Sequence, residues 1–156
     1  MTKEEDQIKL YKLSIEELRR MHDEIASAYN NVKIKIITFI GGGLALLNYL
    51  YSNGELFIPK ETYGRIFYLL GLTFCITALL ILFLATQPVE WRLPTESKNH
   101  KNHNIYLKFL KYVRKEYVEA ISINTSHLGK KQKRLNLASS LLIVGTVVLL
   151  VIKNFN

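Results

Sequence analysis

Three apolar runs, Ile34 to Tyr51, Ile66 to Gln87 and Leu135 to Ile152, dictate what this chain can become. Each is about as long as the ~20 residues that carry a helix across a hydrocarbon core. In lipid every backbone polar group must be satisfied within its own segment, so runs of this length are expected to be spanning helices. Between Arg65 and Glu90 the middle run carries no charge, and its polar members are small (Thr73, Thr77, Thr86) or terminal (Gln87). The third run holds Asn136, Ser139, Ser140 and Thr146, all able to bond their own helix or a neighbouring one. The first opens with Lys33 and Lys35, has Gly41, Gly42 and Gly43 in its middle and Asn48 near its exit. Lysine stems snorkel toward headgroups, so this run also counts as a span. The expected fold is an all-α membrane protein with three transmembrane helices and two amphipathic cytosolic helices. It is read as one domain: a cytosolic helix over 1–33, spans over 34–51, 66–87 and 135–152, and a cytosolic helical segment over 88–134.

The formal charge of +8 follows this layout. Lys and Arg number seven from Met1 to Lys35, two between Asn53 and Arg65, eleven from Pro88 to Arg134 and one after Ile152. The positive-inside rule then puts the N-terminus and the middle segment in the cytosol, and the Asn53–Arg65 hairpin and the tail outside. Topology explains the basic residues more economically than nucleic acid does, and nucleic acid is not an expected partner. Cys75 is the only cysteine and lies within a span, so it is read as a small packing residue. A long charged leader precedes the first apolar run, so that run is expected to stay on as a signal anchor rather than be cleaved.

Outside the spans, periodicity marks two amphipathic helices. Ser14 followed by Glu17 has the capping-box spacing of a helix start. Ile15, Leu18, His22, Ile25, Tyr29 and Val32 then recur at spacings of three and four, which is one face of a helix in need of a partner. No Pro or Gly interrupts before Gly41, so a continuous rod is expected from about Ser14 to Tyr51, reaching on the order of 30 Å from the membrane. Ser52-Asn53-Gly54 should end it as a turn, with Pro59 in a short outer loop. Pro88 closes the second span, and Trp91 is placed to act as an interfacial anchor. Pro94 to Asn104 reads as a loop. A helix should follow, with Tyr106, Leu110, Val113, Tyr117, Ala120 and Ile121 on one face and Lys108, Lys111, Lys115 and Glu119 on the other. At Gly129 the helix either ends or bends on into the third span, and a bend is the expectation.

Residues that carry chemistry are few. His100 and His103 have a His-x-x-His spacing but fall in the most loop-like stretch without a third ligand, so no metal site is expected. His22 and His127 read as helix-face or helix-end residues. No phosphate loop, serine elbow or paired carboxylates appear, so neither enzymatic activity nor a cofactor is expected. Asn124-Thr125-Ser126 fits a glycosylation sequon, but the charge rule puts it in the cytosol. Lys130, Lys131, Lys133 and Arg134 form a basic collar that suits anionic headgroups, at roughly 1 kcal/mol per charge, in preference to the phosphates of a nucleotide or nucleic acid. Tyr112, Tyr117 and Asn124 could hold a base, although tyrosines on a helical stripe usually belong to a core.

Gly41-Gly42-Gly43 is the most informative local feature, since glycine weakens a helix by about 1 kcal/mol relative to alanine. Within a bilayer the compensating reason is close helix approach, and Gly41 with Ala45 provides a small-xxx-small pair. Gly71 with Cys75 provides a similar strip on the second span. Two readings stay open: packing within one chain, or else packing between chains or a flexible point that lets the hairpin rearrange. Asn48 favours the second, because an amide in lipid seeks a partner or a watery lumen.

The order of features also resembles a known group. Asn31-Val32-Lys33-Ile34-Lys35 enters the first span, a short-looped hairpin follows, Pro88 comes soon after the second span, and the cytosolic helix carries Glu116-Tyr117. Lys130 to Asn136 then leads into Ala138 and Gly145 of the last span. This layout looks like the transmembrane effectors of bacterial nucleotide-signalled antiphage defence, the Pycsar transmembrane effector and the related SLATT-type proteins. The resemblance implies an inner-membrane homo-oligomer, quiet until an infection signal arrives, that then impairs the membrane and arrests the host. Its implied partners are membrane lipids, further copies of itself, and a nucleotide second messenger or a cytosolic protein. No ligand-binding residues carry over, and no separate nucleotide-sensing domain is expected within these residues. The alternatives are a membrane anchor that recruits a cytosolic complex, or a small channel.

Overall fold

The computed structural model describes residues 3–50, 59–94 and 103–155. They form an all-α structure of three helices: α1 (Lys3–Leu50), α2 (Thr62–Thr86) and α3 (His103–Phe155). All three are long and apolar enough to cross a membrane, which makes the chain a multi-pass membrane protein by length and composition. The expected turn at Ser52-Asn53-Gly54 and most of the expected loop from Pro94 to Asn104 lie outside the described residues.

One expectation needs correction. The two amphipathic stretches are not helices of their own among the described residues; they are the leading parts of α1 and α3. Ser14 lies inside α1, so its spacing from Glu17 does not form a capping box. Residues 3–13 are rich in Glu, Lys, Leu and Gln, which favour helix, and contain neither Gly nor Pro. Ile8 and Tyr11 also pack against the core described below, so burial extends the helix past the cap-like serine. Ser14 Oγ instead accepts a hydrogen bond of 3.2 Å from Arg114 Nε. At Gly129 the helix runs on, as favoured from the sequence: α3 passes through it, followed directly by the helix-favouring Lys130 to Arg134.

The ends of α2 have local causes. Arg65 secures the start, its backbone N–H donating to Glu61 O at 3.0 Å and its Nε to Pro59 O at 2.9 Å. At the other end Gln87 adopts φ −51° and ψ 136°, the extended conformation forced on a residue that precedes proline, and the helix stops at Thr86. Several hydroxyls within the spans are satisfied locally. Thr38 donates to Ile34 O, Thr73 to Leu69 O, Ser140 to Asn136 O and Thr146 to Leu142 O, each four residues back. Such bonds remove the penalty of an unpaired polar group in hydrocarbon.

Contacts divide the chain into two compact units. Unit 1 comprises Met1–Asn30 and Val89–Gly129, and unit 2 comprises Asn31–Pro88 and Lys130–Asn156. These divisions lie close to the sequence boundaries between polar and apolar segments. The core of unit 1 is Ile15, Leu110, Val113 and Tyr117, with Leu18, Tyr106 and Phe109 packed around it. In unit 2 the buried positions of α2 are Tyr68, Gly71, Cys75, Ala78, Leu82 and Ala85, alternating steps of three and four. On α3 the same rhythm places Leu135, Ala138, Leu142, Gly145 and Leu149 inside. A repeat of 3.5 residues is the seam of left-handed helix packing, in which knobs of one helix enter holes of the next.

Candidate functional site

In unit 2 the seam decides what each glycine does. The missing Cβ of Gly145 would stand 2.7 Å from Cys75 Sγ, 2.8 Å from Gly71 O and 3.1 Å from Cys75 N. That of Gly71 would meet Leu149 Cγ at 2.9 Å and Val148 Cγ1 at 3.2 Å. Here α2 and α3 cross backbone against backbone, which only residues without a large side chain permit. Gly43 is also on a seam, where a Cβ would lie 2.7 Å from Leu79 Cδ2 and 3.4 Å from Leu142 Cδ1. Gly41 and Gly42 differ: a Cβ on either meets nothing within 4 Å. Ala45 and Asn48 are exposed as well, so Gly41, Ala45 and Asn48 share an outward strip of α1. The glycine triplet therefore divides between an internal contact and an open face.

The basic collar divides too. Lys131 is buried, and its ammonium donates to Gln87 O at 3.1 Å. Arg134 Nη1 donates to Leu84 O at 3.4 Å. Both cations lie on the last carbonyls of α2, which have no partner within the helix and carry the negative end of its dipole. Lys130 and Lys133 are exposed, as are Lys33 and Lys35 on α1, and these four side chains are open to anionic groups. At the far ends of the helices, Lys153 Nζ sits 3.8 Å from the centre of the Tyr49 ring, a close cation–π contact between α1 and α3.

Unit 1 contains a polar clasp that the sequence did not disclose. Asn124 is fully buried, accepting from Arg92 N–H at 3.2 Å and donating to Arg92 O at 3.0 Å. Its amide nitrogen also lies 3.4 Å from His22 Nε2. The Arg92 guanidinium reaches Glu119 at 2.8 Å and Glu116 at 3.6 Å. His22 is buried, its ring edge-on to Trp91 at 5.8 Å and to Tyr117 at 6.3 Å. Trp91 lies 5.1 Å from Tyr29, so the residue expected to anchor at a headgroup surface packs among the aromatic rings of unit 1. Arg92, His22 and Asn124 thus tie the chain after Pro88 to both long helices. Asn124 gave one usable signal: it continues the buried series Leu110, Val113, Tyr117 and Ala120, and a polar residue on a seam requires a partner.

Two hollows are lined by described residues of unit 1. One of about 530 Å³ is lined by Glu90, Trp91, Arg92, Leu93, Ile123 and His127. The other, of about 380 Å³, lies between α1 and α3 and is lined by Gln7, Leu10, Tyr11, Ser14, Lys111 and Arg114. Tyr112 is exposed rather than part of the core, and Tyr117 is buried in it, so the residues considered for base stacking do not share a pocket. Among the described residues no three His, Cys, Asp or Glu side chains gather as a metal site. Of the His100 and His103 pair, His100 and the side chain of His103 lie outside the described residues. Compared with known protein families, curated proteins and solved structures, the chain matches none of them.

Proposed function

We propose that this chain is an oligomeric effector of the bacterial inner membrane, one that permeabilises the bilayer when a signal reaches the helices of unit 1. The observation that carries this reading is the outward strip of α1. Its amide, Asn48, has no hydrogen-bond partner among the described residues, although it lies in a span. An unpaired amide in hydrocarbon is unfavourable by several kcal/mol, roughly, and association with other copies or a watery lumen would relieve it. The glycines that close the internal seams are Gly43, Gly71 and Gly145, which leaves Gly41 and Gly42 free for contact between chains.

The layout shared with nucleotide-signalled antiphage effectors supports the same reading, as does the lack of any recognisable catalytic motif. In this proposal the N-terminus and unit 1 are cytosolic and the C-terminus is external. Within unit 2, Lys33, Lys35, Lys130, Lys131, Lys133 and Arg134 outnumber Lys60, Arg65 and Lys153 at the opposite ends of the helices, as the positive-inside rule requires. A signal would shift a resting-to-open equilibrium only through different affinities for the two states.

Overexpression in a bacterial host tests the proposal. Membrane potential should collapse and growth slow, and Gly42→Leu should suppress both by obstructing contact on the open face. Unchanged potential, on overexpression and after infection alike, would instead favour an anchor that recruits a cytosolic complex. The exposure of Leu10, Leu13, Tyr112 and Val118 on unit 1 suits that second reading. Reporter fusions after Asn156 should behave as external; cytosolic behaviour there would reverse the orientation.

A further inference from the structure

From the 380 Å³ cleft of unit 1 we infer a binding site for a small organic phosphate, held by Arg114, Lys111 and Ser14. The argument begins with charge. Two other arginines of unit 1 are neutralised by carboxylates, Arg20 by Glu24 and Arg92 by Glu116 and Glu119, whereas Arg114, like Arg19 on the Tyr117 hydroxyl, donates its Nε to a neutral oxygen. Arg114 and Lys111 face one cleft, and neither has a carboxylate within salt-bridge reach among the described residues. Among the described residues no acidic side chain lines the cleft. Two like charges on adjacent turns of α3 repel each other, and an anion between them removes that penalty.

Geometry then selects the anion. Ser14 Oγ accepts from Arg114 Nε at 3.2 Å, which fixes one edge of the guanidinium and leaves its terminal N–H groups for a ligand. A planar fork of this kind matches two oxygens of a phosphate, and the Lys111 ammonium adds a third donor set. Lys111 Nζ stands 6.0 Å from the centre of the Tyr11 ring, so the charge and the ring border the same space. Leu10, 67% exposed, supplies an apolar wall without a partner of its own. A volume of 380 Å³ falls in the range of roughly 300–1,000 Å³ usual for small-molecule sites and exceeds what a bare phosphate needs. The cleft therefore suits a phosphate monoester whose body lies against Leu10 and Tyr11. Binding there is a property of unit 1 alone, and it stands or falls separately from any permeabilising activity.

Calorimetric titration of the full chain in neutral detergent micelles tests the site, with AMP, inorganic phosphate and adenosine as probes. AMP should bind saturably, phosphate more weakly, and adenosine not at all. Arg114→Gln and Lys111→Gln should each weaken AMP binding tenfold or more while helical content is retained, because both side chains are exposed. Arg20→Gln, on the same unit but outside the cleft, should leave binding unchanged. Four results would overturn the assignment. These are no saturable AMP binding, equal affinity in Arg114→Gln, equal loss in Arg20→Gln, or full displacement of AMP by phosphatidylglycerol added to the micelles. The last would give the cleft to a lipid headgroup.

Discussion

The carbonyl oxygen of Gly71 lies 2.8 Å from the point that a Cβ on Gly145 would occupy, so α2 and α3 touch through their backbones. A methyl group at Gly145 would meet main-chain atoms of Gly71 and Cys75, which cannot rotate aside as a side chain can. Gly145→Ala is therefore expected to destabilise unit 2 by about 1–3 kcal/mol, the usual penalty of overpacking. Gly41→Ala, which meets nothing, should be neutral or stabilising by up to about 1 kcal/mol through helix propensity. Thermal unfolding of both variants in detergent checks the pair, and an unchanged midpoint for Gly145→Ala would contradict the crossing.

Asn48→Leu tests the outward face of α1. If the amide pairs between copies, its loss should weaken association by roughly 0.6–2 kcal/mol, about three- to thirtyfold in the association constant. Chemical crosslinking in micelles at graded protein-to-detergent ratios reads this directly. Undiminished oligomers in Asn48→Leu would assign the interface elsewhere.

Removing the amide of Asn124 leaves the N–H and C=O of Arg92 without their partner inside unit 1. Asn124→Leu should destabilise the unit by about 1–3 kcal/mol, the penalty of stranding buried polar groups. Faster amide hydrogen exchange at residues 89–93, with exchange in α2 unaffected, is the expected signature. Uniformly faster exchange along the whole chain would mean that the clasp has no local role.

The collar separates into stability and lipid affinity. Lys131→Met should lower stability, since it uncovers Gln87 O at the end of α2, by about 0.3–2 kcal/mol. Lys133→Gln should leave stability unchanged and weaken the binding of anionic lipid to the detergent-solubilised protein by roughly 1 kcal/mol, about fivefold. Unfolding and lipid-titration measurements on the same two variants distinguish these effects, and identical behaviour of the two would refute the division.

Much of this architecture was legible because one physical signal, the spacing of apolar residues, dominates it. Long uncharged runs located the spans, and the three-and-four stripe of Ile15 to Val32 found the face that unit 1 buries. What misled were motifs whose meaning depends on context. Ser14 and Glu17 have cap spacing, but the residues before them are helix formers that gain packing partners. The glycine triplet attracted attention as a block, although extending the stripe through Val32 and Ile36 picks out Gly43 alone as buried. The clasp was hidden for a different reason: Asn124 and His22 are 102 positions apart, and Lys131 is 44 from Gln87. Pairings over such distances have no local signature.

Lys131 and Arg134 hold α2 by its final turn, through Gln87 O and Leu84 O. A slide of α2 along α3 by a single residue, about 1.5 Å, would stretch both contacts unless the two long side chains followed it. Piston-like displacement is thus opposed, though not barred, at this edge of the bundle.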